Sequence, residues 1–173
     1  RYLASLAALD AELGGNLTVL DGPPETALPR LCAELGAGAV HISRETTPYG
    51  RRRDARVESA LADAGVTLRA TGTPYAIGPG SVLTGGGTAY KVFTPFSRAW
   101  RDHGWPRPAP RPQARFVKAG SSIDLPTTSG ELEAGERAAY RRWERFLEED
   151  LAGYATGRAR PDLDATSRMA IPV

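Results

Sequence analysis

The residue types that could do chemistry gather toward the end of this 173-residue chain. Tyr154 is followed by Arg158, Arg160-Pro161, Asp164 and then Thr166-Ser167-Arg168. A helix starting at those hydroxyls would offer unbonded backbone N–H groups, and Thr166 and Ser167 would add donors, together a cradle for a phosphate. The same residues also suit a plain N-cap, and the pattern alone leaves both readings open. A second place is nominated by position. Residues 43–50 lie just past Ala39-Val40-His41-Ile42, which reads as a strand, and open α/β sheets bind ligands beyond the carboxyl ends of their strands. Arg51-Arg52-Arg53 follows as the densest basic cluster, near a helix start where the macrodipole favours anions instead. A solvated face with Asp54 and Glu58 compensating accounts for it, although a local rule broken in this way sometimes marks a site.

Other chemistries are absent from the pattern. Two histidines and one cysteine, all well separated, give neither a zinc spacing nor a Cys–His pair. Gly85-Gly86-Gly87 lacks the Gly-Lys-Ser/Thr ending and the following helix of a phosphate-binding loop, so it reads as a turn. His41, inside a strand, is expected to be a satisfied core residue, and His103 suits the C-terminal end of a helix. Cys32 falls on an apolar helical face between Leu28 and Leu35 and is expected to be a buried small hydrophobe. A net charge of +2 gives no global argument for nucleic-acid binding. No apolar run reaches the roughly 18–20 residues of a membrane span. A lone cysteine and no signal-peptide pattern fit a reducing compartment, so a cytoplasmic protein is expected.

The elements that must position these residues are legible from periodicity. Leu3, Leu6, Leu9 and Leu13 give a helix over 2–13, ended by Gly14-Gly15. Leu17 to Leu20 suits a buried strand. Pro23-Pro24 opens a second helix, with Ala27, Leu28, Leu31, Cys32 and Leu35 facing inward and Gly36 as its stop. A strand at 39–42, a helix over 49–64 with Val57, Ala60, Leu61 and Ala64 inward, and a strand at 66–69 follow. Alternation of this kind means βαβ units: an α/β fold, an open parallel Rossmann-like sheet with helices on both faces. Three strands are few for such a sheet, and a chain opening directly on a helix reads as truncated at its start. Residues 72–90 read as a glycine- and proline-rich loop, 94–104 as a short helix, and PRPAPRP (106–112) as an extended spacer. From Gly135 a helical pattern carries Ala139, Tyr140, Trp143, Phe146, Leu147, Leu151 and Tyr154, a wide aromatic stripe. So much apolar surface implies further helices beyond Val173.

Three segments resemble one known family in order and spacing across nearly the whole chain. ETTPYGRRRDARVESAL (45–61) resembles the photolyase stretch E-P-Y-G-R-x-R-D followed by a helix. YKVFTPFSRAW (90–100) is similar to Y-x-V-F-T-P-F-W-R-A-W, with Ser97 where the family usually has tryptophan. GRARPDLDATSR (157–168) looks like the family's approach to the flavin phosphate, R-D-x-P…T-S-x-L-S, departing from it at Met169, Ala170 and Pro172. The chain is thereby identified as resembling the DNA photolyase/cryptochrome family, in the form of a class I type cyclobutane pyrimidine dimer photolyase.

The resemblance implies an α/β antenna domain over 1–105, truncated at its start, an interdomain linker over 106–133, and the beginning of an all-helical FAD-binding domain over 134–173. It implies FAD, contacted by Tyr154, Thr166, Ser167 and Arg168, and an antenna chromophore beside Arg44, Glu45 and Thr47. The Pro48-Tyr49-Gly50-Arg51 form resembles members that bind 8-hydroxy-5-deazaflavin more than those that bind methenyltetrahydrofolate. Light-driven repair of damaged DNA by the intact protein, as a monomer away from membranes, is the implied function. The electron-relay tryptophans and the DNA-contacting surface would lie outside this chain, which should be inactive alone. Two further readings stand beside it: a cryptochrome-like photoreceptor, and a stand-alone nucleotide-binding α/β module.

Overall fold

The computed structural model describes residues 2–110, 113–125 and 134–169. In chain order its elements are α1 (Tyr2–Glu12), α2 (Pro24–Leu35), β1 (Ala39–Ile42), α3 (Pro48–Asp63), β2 (Thr67–Ala70), α4 (Phe93–His103), α5 (Glu136–Arg145) and α6 (Tyr154–Gly157). A π turn at Phe146–Asp150 and a 3-10 turn at Leu151–Gly153 join the last two. The chain gathers into two compact units, Asp21–Arg115 and Arg1–Leu20 with Phe116–Val173.

In the unit Asp21–Arg115, local chemistry sets the helix boundaries. Pro24 occupies the first helical position of α2, where a missing N–H removes no bond. Gly36 ends that helix with φ 64°, a left-handed conformation that glycine adopts without a Cβ clash, and its N–H bonds the Cys32 carbonyl. Thr47 caps α3 by accepting the Gly50 N–H at 3.1 Å. β1 and β2 pair in parallel, from Ala39 opposite Thr67 to Ile42 opposite Ala70. The ladder runs past both strand ends, through Thr67 N–H to the Gly38 carbonyl at 3.1 Å and Thr71 N–H to the Ile42 carbonyl at 3.0 Å.

The core of this unit lies where α2, α3 and the small sheet meet. Cys32, Val57, Leu61 and Val66 are buried, with Leu28, Ala37, Val40 and Leu68 packed around them. Leu61 is completely enclosed. The fold is therefore a mixed α/β arrangement with a two-stranded parallel sheet. α4 has an apolar face of Phe93, Phe96 and Trp100, yet none of its residues is buried. The Ser97 hydroxyl, at the position where tryptophan was the expected residue, bonds back to the Thr94 carbonyl at 2.9 Å.

Three expectations need correction. Leu17–Leu20 is not a strand of the sheet; it belongs to the other compact unit. There, Asp10 Oδ1 accepts the Leu17 N–H at 2.9 Å. Ser122 Oγ accepts the Val19 N–H at 3.0 Å, and the Val19 carbonyl accepts from Ile123 at 2.8 Å. Its backbone demand is met by side chains and an irregular segment. His41 is exposed, not a core residue, because β1 turns Val40 and Ile42 toward the packed side and alternation sends His41 outward. The expected helix from Gly135 to Tyr154 is broken at Phe146, where the Leu151 N–H reaches back five residues to the Phe146 carbonyl.

The unit of Arg1–Leu20 and Phe116–Val173 holds its helices by small contacts. Gly135, at φ 86°, lies so close to α1 that a Cβ there would come within 2.6 Å of the Ala8 Cβ. Arg137 pairs with Glu12. On the aromatic stripe only Phe146 is buried, while Tyr140, Trp143, Leu147, Leu151 and Tyr154 stay largely open to solvent.

Candidate functional site

Two places collect the residues nominated from the sequence, one in each unit. The first is a cleft of about 440 Å³ between α3 and β2, lined by Arg44, Glu45, Arg51, Asp54, Glu58 and Leu68 among others. Arg51, Asp54, Ala55 and Glu58 are spaced three and four apart, so they share one face of α3. Leu68 and Ala70 of β2 give an apolar floor. Arg44 is tied to the far end of the sheet: its Nη2 donates to the Ala70 carbonyl at 3.2 Å and its N–H to the Gly72 carbonyl at 3.3 Å. The mouth thus lies beyond the carboxyl ends of parallel strands, where open α/β sheets hold ligands.

Glu45 is folded inward. One carboxylate oxygen accepts the Thr46 N–H and the other the Thr47 hydroxyl, each at 3.2 Å. Its side chain fills the space over Gly50, where an added Cβ would fall 2.5 Å from Glu45 Cγ. Thr47 does not line the cleft; its oxygen is committed to the cap of α3. The arginine cluster divides in the same way. Arg53 is held by Asp54 at 2.6 Å, and that hydrogen bond raises the guanidinium pKa further. Arg51 faces the cleft and Arg52 faces solvent. Guanidinium donors and carboxylate acceptors around an apolar floor suit a planar ring with hydrogen-bonding edges.

The second place is the loop from Arg158 to Met169. Tyr154 opens α6 and sets its ring edge-on to Phe146 at 5.6 Å, and Phe146 in turn stacks with Trp143 at 5.7 Å. Gly157 is buried beneath the loop, and a Cβ there would lie 2.6 Å from the Ala165 Cβ. Arg160 and Asp162 form a two-pronged pair at 2.8 and 2.6 Å, which holds the Asp162 carboxyl below the usual carboxylate range. Arg168 has φ 45°, unusual for a residue with a Cβ, and pairs with Asp164 at 2.6 Å. Residues 166–169 are not helical; the helix start suggested for them is not formed there, and Ala170 and Pro172 lie outside the described residues.

The donor set nevertheless fits a phosphate. The hydroxyls of Thr166 and Ser167 make no hydrogen bond among the described residues, and the Arg168 guanidinium stands one residue on. Sequence periodicity missed one participant. Arg142 of α5 donates from Nε to the Ser167 carbonyl at 3.0 Å, across 25 positions. Among the described residues no cluster of histidine, cysteine and carboxylate side chains could hold a metal ion, and no helix is long and apolar enough to cross a membrane.

Residues 1–113 match the family described as DNA photolyase. The chain belongs to the DNA photolyase family. Deoxyribodipyrimidine photo-lyase of Streptomyces griseus is 36% identical, over 95% of this chain and 39% of the relative. The protein of the same name from a strain of Thermus thermophilus is 38% identical, over 90% of this chain and 35% of its own length. The crystal structure of a bacterial class III photolyase from Agrobacterium tumefaciens matches with a TM-score of 0.71 at 27% identity, over 97% of this chain and 39% of that one. This chain thus spans somewhat more than a third of the length of these photolyases. Family membership implies a flavin and an antenna chromophore without selecting the antenna, and it does not carry the class I subtype suggested by the motifs.

Proposed function

We propose that the intact protein splits cyclobutane pyrimidine dimers in DNA with blue light, as a class I type photolyase. In this reading the chain supplies most of the pigment-bearing domain (1–105), the linker (106–133) and the entry to the flavin-binding domain (134–173). The observation that carries the reading is the family match over residues 1–113, joined by relatives that bear the name deoxyribodipyrimidine photo-lyase. Reduced FAD, when bound and excited, would supply the electron that opens the dimer.

The chain's own residues bind and orient. Thr166 and Ser167 hydroxyls donate to a flavin phosphate, Arg168 neutralises its charge, and Tyr154 lies against the nucleotide. Arg44 and Glu45 face the antenna in the cleft between α3 and β2, and Thr47 fixes the mouth of that cleft by capping α3. The Pro48-Tyr49-Gly50-Arg51 form at the start of α3 favours 8-hydroxy-5-deazaflavin over methenyltetrahydrofolate. Damaged DNA would meet the helical domain beyond this chain, and the intact protein would act as a cytoplasmic monomer.

The test is an absorption and fluorescence spectrum of the intact protein purified in the dark, taken before and after blue light with dimer-containing DNA. Flavin bands with light-dependent loss of dimers are expected, and an additional band in the violet would identify the deazaflavin. Flavin bands without repair would make the protein a photoreceptor instead, and no flavin at all would overturn the reading.

A further inference from the structure

The loop that carries Thr166, Ser167 and Arg168 has no regular secondary structure of its own to hold it. Two contacts from outside the loop set its course. Gly157 lets Ala165 approach to a distance that any side chain would forbid. Arg142, half-buried on α5, places its Nε on the carbonyl of Ser167 at 3.0 Å. Along the chain that carbonyl lies between Ser167 and Arg168, two of the residues assigned to the phosphate. Fixing its direction fixes the plane of the peptide joining them. Arg168 is further restrained by its left-handed backbone and its pair with Asp164.

We propose that Arg142 is a positioning residue for the phosphate-binding loop: its Nε–H bond to the Ser167 carbonyl holds Ser167 and Arg168 in the arrangement that accepts the flavin phosphate. The inference rests on the reading of 166–168 as that site. Its mechanism is specific. What matters is a donor at the end of a three-carbon stem, not the positive charge. Arg142→Met keeps the length and loses the donor; Arg142→Gln puts an amide N–H at the same place along the side chain without a charge. Both residues are good helix formers, so α5 should persist.

The intact protein and these variants, stripped of flavin, would be titrated with FAD and with riboflavin, which lacks the phosphates, following flavin fluorescence. Circular dichroism melts would check the fold. Arg142→Met should weaken FAD by up to about tenfold, the upper scale of one ordinary hydrogen bond, while leaving riboflavin unchanged, and Arg142→Gln should restore most of the loss. Gly157→Ala, which displaces the loop through Ala165, should repeat the FAD-selective loss and serves if Arg142→Met does not fold. Equal weakening of both ligands, or no rescue by Gln, would overturn the positioning role. A Thr166→Ala/Ser167→Ala double variant separates the two readings. If it loses the preference for FAD while Arg142→Met keeps it, only the role of Arg142 fails. If the double variant keeps the preference, the site reading fails and the inference with it.

Discussion

At the scale of single residues, Gly50 and Glu45 form the tightest constraint in the cleft. A methyl at position 50 would press on Cβ and Cγ of Glu45, at 2.7 and 2.5 Å, atoms too near the backbone to swing away freely. Gly50→Ala should therefore cost about 1–3 kcal/mol, the scale of overpacking, in urea unfolding. Glu45→Ala should lose part of its own effect in that background, giving a coupling of about 0.5 kcal/mol or more; strict additivity would count against the contact. A second residue-scale effect depends on pH. The N–H at the start of α2 and the Arg56 guanidinium, 3.0 Å away, hold the Glu25 carboxyl below its usual range. A carboxylate with a lowered folded-state pKa contributes stability above its ordinary range, and loses it as pH falls through the lowered value. The advantage of the protein over its Glu25→Gln variant should thus be present at neutral pH and fade on acidification. A denaturation series in which the gap widens toward low pH would contradict the pairing.

At the scale of elements, the core of the unit Asp21–Arg115 is small, and Leu61 is its one fully enclosed side chain among the described residues. Leu61→Ala should cost about 2–5 kcal/mol, a large share of a small domain's stability, and would show as a lowered urea midpoint with α2 and α3 lost together. The helices of this unit were legible in the sequence, because apolar periodicity marks them and signals such as Pro24 and Gly36 act within a few residues of where they stand. What could not be read depends on distant partners. Leu17–Leu20 has the composition of a strand, but its hydrogen bonds come from Asp10, Ser122 and Ile123, which no local pattern announces. The π turn at Phe146–Asp150 is likewise silent in the periodicity. In a straight helix Phe146 and Tyr154 would be separated by about 12 Å along the axis; their rings meet at 5.6 Å because the break folds one back toward the other. The loop at 158–169 was legible as a donor set through its residue types, whereas its anchor Arg142 was not, since a side chain that bonds one carbonyl 25 residues away leaves no spacing to detect.

At the scale of the whole molecule, the exposed aromatic stripe sets behaviour in solution. Tyr140 is 60% and Trp143 40% exposed on α5, and Glu136, Ala139 and Met169 complete an apolar groove with them. Patches of this kind drive association. The 173-residue chain prepared alone should show a sedimentation coefficient that rises with concentration, and Tyr140→Ser/Trp143→Ser should suppress the rise. A sharp, concentration-independent monomer would remove the stripe from consideration as a contact surface.

The short parallel ladder carries one more consequence, for the clock of backbone exchange. In a parallel pair each strand turns alternate amides toward its partner. Thr67 and Thr71 donate to Gly38 and Ile42, and Arg44 donates to Gly72, so with two strands in the sheet among the described residues the intervening Leu68 and Ala70 amides point away from the pairing. In deuterated water the signals of this two-stranded ribbon should split by parity: Thr67 and Thr71 keep their protons while Leu68 and Ala70 give theirs up. Slow exchange at Leu68 and Ala70 in the intact protein would then report, residue by residue, that another strand has come to lie along β2.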